Sequence, residues 1–207
     1  MAHYEKSRKK GHGCCGSIFT FILVLLVAFL LLLFCTDTLS GIKMKVMEHF
    51  YPRDYSEYVS QYSEEYSVDE TLIYAVIRTE SGFHADAQSG VGAMGLMQIM
   101  PETYDYMLML EGDDSDHDDN ELLNPQINIK YGTYYMSILL EHYGGKEQLV
   151  IAAYNGGIAN VDSWLTDSRY SQDGITLSEI PYNETAQYVE RVESAKEMYE
   201  SLYYDNN

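Results

Sequence analysis

From residue 36 onward the sequence contains no cysteine; Cys14, Cys15 and Cys35 all lie before that point. Whatever domain follows must fold without disulfides, which suits an exported domain and equally many others. Basic side chains are scarce too: residues 36–207 carry nine Lys or Arg against 31 Asp or Glu, a balance of −22. Such a surface repels nucleic-acid phosphates and anionic lipid headgroups, so no nucleic acid is expected as a partner. An anionic polymer would have to be held by local contacts, because the global field pushes it away. Strand-like alternation of useful length is missing, and there is no internal repeat. At 207 residues and 46% hydrophobic content, the chain has room for one ordinary domain and a short appendage.

Metal-binding patterns fail on inspection. In EGDDSDHDDNE, residues 111–121, Asp114, Asp116 and Asp118 match the first alternate ligands of a calcium loop. The sixth position is then Asp119 where glycine is needed, and the twelfth is Pro125. The run reads as a solvated acidic loop, and His117 alone makes no zinc site. Neither a metal nor a cofactor is expected.

What the chain does have, near its start, is a charge-free run. Residues 18–35, IFTFILVLLVAFLLLLFC, contain no charge and no proline. At about 1.5 Å per residue a helix of that length covers about 27 Å, close to a bilayer core. Lys6, Arg8, Lys9 and Lys10 precede it, whereas Lys43 and Lys45 are the close basic residues after it, so the positive-inside bias places the N-terminus in the cytoplasm. A cleaved secretory signal is the rival reading, but LLLFCTDT lacks the small residues of a cleavage site. Leu33 and Phe34 before Cys35 likewise do not suit lipoprotein processing. Cys14 and Cys15 fit acylated or ordinary juxtamembrane cysteines equally. The expected organisation is a cytoplasmic basic tail at 1–16, a single membrane anchor at 17–35, a linker at 36–51 and an extracytoplasmic domain at 52–204.

That domain reads as helices. Tyr55, Tyr58, Val59, Tyr62 and Tyr66 recur at three and four, the spacing of one helical face. Asp69 is placed to cap a second helix with Leu72, Ile73, Val76 and Ile77 on its inner side. Glu80 continues that stripe, four after Val76 and three after Ile77, in the last turn before Gly82 stops the helix. A carboxylate on an apolar face is desolvated, and at a helix C-terminus it meets the negative end of the dipole; both raise its pKa. A rise of about one to two pH units from about 4.3 would make Glu80 a general acid near neutrality. A glutamate at the helix edge bending out to water fits the periodicity as well.

After Glu80 come Gly90, Gly92 and Gly95 in a polar loop, then GLMQIMP, whose one amide, Gln98, needs a partner if buried. A bound sugar or a structural backbone contact would each serve. Further helices are predicted at 102–110, at NPQINIKYGTYYMSILLEHY with Ile127, Tyr131, Tyr134, Tyr135, Ile138 and Leu139 inward, at QLVIAAYN, and at 184–203 with Tyr188, Val189, Val192, Ala195, Tyr199 and Leu202 inward.

These residues carry a resemblance. TES around Glu80, then SGVGAMGLMQIMP, AAYNGG and ETAQYVERV resemble, in that order, the motifs of the lytic transglycosylase (SLT) family with its goose-lysozyme-like fold. The resemblance covers about residues 52–203. It implies a mainly α, lysozyme-like helical domain, here behind one N-terminal transmembrane helix. It further implies a bacterial cell-wall enzyme that cleaves the β-1,4 bond between N-acetylmuramic acid and N-acetylglucosamine in peptidoglycan glycan strands and leaves a 1,6-anhydromuramyl end. By resemblance Glu80 is the catalytic acid and then the base. Ser81, Met97 and Gln98 line the cleft, Tyr154, Asn155 and Tyr188 orient acid or substrate, and Glu184 supports the glycan site or braces the last helix. None of the motifs offers a second carboxylate opposite Glu80, as an ordinary glycosidase needs; assistance by the sugar's N-acetyl carbonyl removes the requirement. A hydrolase of lysozyme type and a silent peptidoglycan-binding scaffold are the alternatives.

Overall fold

The computed structural model describes residues 22–27, 29, 41–42, 44–113, 115 and 117–204. The chain divides into two compact units, one ending at Phe50 and one beginning at Tyr51. In the first, residues 22–27 and 44–50 are helical and the apolar side chains Ile22 to Val27 are exposed. The described residues include no helix long and apolar enough to cross a membrane. The span expected at 17–35 lies largely outside the described residues, as do the basic tail and Cys14, Cys15 and Cys35.

The second unit is helical. Among its described residues are α1 (Ser56–Tyr66), α2 (Glu70–Glu80), α3 (Pro101–Glu111), a 3-10 turn at Asp119–Leu123, α4 (Pro125–His142), α5 (Glu147–Gly156), α6 (Ile158–Thr166) and α7 (Asn183–Tyr203). No strand forms among them; the only pairings of that kind are isolated bridges from Met94 to Gln88 and to Ile99.

α2 is the central element. Asp69 Oδ1 accepts from the backbone N–H of Thr71 at 2.7 Å and from its hydroxyl at 2.6 Å, so the helix starts at the expected cap. All seven residues from Thr71 to Ile77 are buried, which makes α2 a core helix covered on every side rather than an amphipathic one. Its most extensive neighbour is α7. There Tyr74 stacks on Tyr199 with ring centroids 5.3 Å apart, and Tyr51 meets Tyr199 edge-on at 5.5 Å. Their hydroxyl neighbours close the unit: Tyr199 donates to Pro52 O at 2.9 Å and Tyr203 to Tyr51 O at 2.7 Å, clamping the first residues of the unit onto its last helix.

In α4 the buried stripe differs from the predicted one. Asn128, Ile129, Gly132, Thr133 and Met136 are buried along with Tyr131 and Leu139, whereas Ile127, Tyr134, Tyr135 and Ile138 are half-buried. The reason is Asn128: its amide donates to Met94 O (2.9 Å) and Leu122 O (2.8 Å), and its Oδ1 accepts from Met97 N at 2.7 Å. Three hydrogen bonds turn a polar side chain inward and rotate the helix with it. α6 is a further difference: it begins on Gly157 with no side-chain cap, so no start signal announces it.

Candidate active site

Glu80 is the last residue of α2. It is half-buried, and burial pushes its carboxyl up to about 7. The Tyr188 hydroxyl and the positive charge of Arg191, both from α7, restrain that rise. At neutral pH a large share of Glu80 therefore keeps its proton, as a general acid requires. The expected alternative, a side chain bent into open water, does not describe it. Among the described residues, no second carboxylate is one of the groups that act on it.

Tyr188 and Tyr154 face the same carboxyl, and burial beside Glu80 drives both phenols well above their ordinary range. The Tyr154 hydroxyl donates to Met97 O at 2.9 Å. The Tyr188 hydroxyl is different: it is fully buried and near enough to Glu80 to favour its carboxylate, but among the described residues no group meets it in close hydrogen-bond geometry. A buried hydroxyl without a partner costs about 1–3 kcal/mol. A ligand that supplies an acceptor would recover that cost.

The loop after α2 is built to hold its backbone close to this group. Ser81 Oγ donates to Leu96 O at 2.7 Å and to Ile77 O at 3.2 Å, tying the helix end to the loop. Met94 pairs with Ile99 through both backbone groups, at 2.9 and 3.0 Å, and Gly95 N donates to Ala87 O at 2.8 Å. Gly95 has φ +79°, and a Cβ there would stand 2.2 Å from Leu122 O and 2.3 Å from Asn128 Nδ2, so only glycine fits. Gln98 follows at φ 49°, its Nε2 donating to Ala87 O at 3.1 Å and Gly95 O at 2.9 Å. Met97 is fully buried against Gly132.

Gln98, Tyr154 and Asn155 come together around a hollow of about 280 Å³, whose other walls are Ile99, Met100, Thr103, Tyr135 and the glycines after Asn155. Tyr135 lies 5.6 Å from Tyr154, ring to ring, in a tilted pair. Asn155 is exposed at the end of α5, with its Oδ1 accepting from Thr185 Oγ1 at 2.9 Å. Glu184 is exposed in the first turn of α7, and Tyr188 lies one turn further along. Ser81 and Met97 do not line the hollow; they hold the loop that does. The motifs gave no role to Tyr135, Thr103 or Arg191: Tyr135 sits on a stripe that reads as core, nothing local marks Thr103, and Arg191 stands in ETAQYVERV with no role assigned to it.

Residues 57–176 match the family model described as Transglycosylase SLT domain, more than half of the chain. The chain belongs to that family. Among sequences, it is similar to the soluble lytic murein transglycosylase of Salmonella typhimurium, 31% identical over 156 residues that make up 75% of this chain and 24% of that protein. It is also similar to the membrane-bound lytic murein transglycosylase C of Serratia proteamaculans, 33% identical over 70% of this chain and 46% of that one. Among solved structures, the 70 kDa soluble lytic transglycosylase from Escherichia coli superposes with a TM-score of 0.69 at 28% identity, over 82% of this chain and 28% of that chain. An inactive mutant of lytic transglycosylase Slt from Pseudomonas aeruginosa, carrying a glutamate-to-glutamine change, superposes with a TM-score of 0.65 at 31% identity, over 75% of this chain and 25% of that chain. The SLT domain here thus spans about a quarter of the length of the first of these curated relatives.

Proposed function

We propose that this SLT domain is a peptidoglycan lytic transglycosylase. The observation that carries the reading is a single carboxyl held protonated near neutrality by burial, with two phenols and no second carboxylate acting with it. Glu80 donates its proton to the glycosidic oxygen between N-acetylmuramic acid and N-acetylglucosamine as that bond breaks. The N-acetyl carbonyl of the muramyl residue supports the electron-poor carbon from within the sugar, which replaces the second carboxylate. The Glu80 carboxylate then takes the proton from the muramyl C6 hydroxyl as its oxygen bonds to C1, giving the 1,6-anhydromuramyl end and restoring the acid. Tyr188, with its unpartnered hydroxyl, and Tyr154 position acid and sugar, and Gln98 and Asn155 line the hollow where the glycan lies.

Residues 17–35 anchor the protein, with the N-terminus cytoplasmic and the domain outside the membrane within reach of the wall. The charge-free run and its basic flank support this reading. A relative named membrane-bound lytic murein transglycosylase C is consistent with it.

The test is product analysis by mass spectrometry, with the full chain purified in detergent and incubated with sacculi. Anhydromuramyl ends are expected, and Glu80→Gln, which keeps the shape and cannot deliver the proton, should abolish them. Reducing ends in their place would make the protein a hydrolase, and no released fragments from the wild type would make it a scaffold.

A further inference from the structure

A second hollow lies beside the last turn of α2, lined by residues to which the motifs assign no role. It encloses about 620 Å³, with Arg78 and Thr79 from α2, Glu190, Arg191 and Ser194 from α7, and Tyr51 at the start of the unit among its walls. Thr79 is the chain neighbour of Glu80, and the Arg191 charge is felt at the Glu80 carboxyl, so the hollow lies at the end of α2 that carries the reacting group.

Its lining is unusual for this molecule. Only four arginines occur beyond residue 36, and two of them are here. Three cations elsewhere are matched to acids: Lys130 to Glu111 at 2.9 Å, Lys196 to Glu200 at 2.7 Å and to Glu147 at 3.2 Å, and Arg169 to Asp167. Arg191 is exposed, lies 5.9 Å from the Tyr188 ring centroid, and forms no ion pair among the described residues. Arg78 lies over the Tyr51 ring at 4.1 Å on the opposite helix. In a region whose balance is −22, an anionic wall polymer gains no help from the long-range field and must find a local cation. A planar guanidinium beside the acid is suited to a carboxylate.

We propose that this hollow receives a carboxylate borne on the lactyl group of the muramyl residue at the bond to be cleaved, with Arg191 as its principal ligand. The inference rests on the peptidoglycan reading above and adds to it how the substituent, rather than the sugar ring, is recognised. The carboxylate has two sources, the peptide stem attached to the lactyl group or the bare lactyl acid once the stem is removed. Glu190 on the same rim disfavours a polyanion and accommodates an ammonium next to the carboxylate, as a diamino acid in a stem would present.

Strand binding by the full chain carrying Glu80→Gln tests this, because turnover is stopped and Arg191 has no titrating acid to act on. Three glycan preparations are compared: stem-bearing, stripped by an amidase, and stripped then methyl-esterified. Adding Arg191→Gln should weaken binding of carboxylate-bearing strands about tenfold and leave the esterified strands within about twofold, with Arg191→Lys recovering part of the loss. A loss on stem-bearing strands assigns the stem, and a loss on stripped strands assigns the lactyl acid. Equal weakening on all three, or on none, overturns the proposal. Wild-type turnover is scored separately: a chain that binds through Arg191 and releases no anhydromuramyl ends keeps the hollow and loses the reaction.

Discussion

At the scale of the residue, the molecule depends on one carboxyl kept out of water. Glu80 titrates at about 7 in the folded chain against 4.5 as an ordinary side chain. Between those pH values the folded state holds a proton that the unfolded state has released, so stability falls as pH rises from about 4.5 to about 7 and stays at the lower level above. The cost at alkaline pH is on the order of 3 kcal/mol. Glu80→Gln should therefore melt about 5–10 °C above the wild type at pH 8 and near it at pH 4.5, as read by thermal unfolding at the two pH values. Wild-type kcat/KM should fall as pH rises through about 7, because the acid is then spent before the substrate arrives.

Tyr188→Phe separates positioning from folding. Its hydroxyl has no partner in close hydrogen-bond geometry among the described residues, so removing it should not lower the melting temperature and should raise it by up to several degrees. The same hydroxyl restrains the Glu80 pKa, so the alkaline limb of the activity profile should move up while kcat drops about tenfold or more. A large loss of stability with an unmoved pH profile would make Tyr188 a packing residue.

At the scale of the element, much was written locally. Asp69, two residues ahead of Thr71, gives the start of α2, the Leu72–Ile73–Val76–Ile77 stripe gives its inner face, and the three- and four-residue spacing puts Glu80 on that face. What could not be read is whatever depends on a distant carbonyl. Asn128 looks like any polar residue on α4, and only the positions of Met94, Met97 and Leu122 make it a pivot. The same holds for Arg191, whose significance comes from the neighbouring end of α2, and for Tyr135, whose ring meets Tyr154 from another helix. Asn128→Asp keeps the shape but sets an acceptor against two carbonyls. It should destabilise the domain by about 3 kcal/mol or more, measured by denaturant unfolding. Gly95→Ala, which adds a Cβ against both Leu122 O and the Asn128 amide, should have a comparable effect.

At the scale of the whole molecule, the surplus of 22 negative charges beyond residue 36 acts against an anionic polymer. Salt screens that repulsion over about 8–10 Å at physiological ionic strength. Activity on intact sacculi should therefore rise about two- to threefold as salt is raised from about 20 to about 150 mM, followed as kcat/KM. A steep fall would mean that attraction at Arg191 and its neighbours outweighs the field of the domain.

The tyrosine clamp at the base of α7 has a bearing on how such a domain travels between proteins. Because Tyr203 and Tyr199 hold the carbonyls of Tyr51 and Pro52, the chain enters and leaves the fold at a single spot. A module with adjoining ends can be spliced into a surface loop of an unrelated host, or circularly permuted, without stretching its interior.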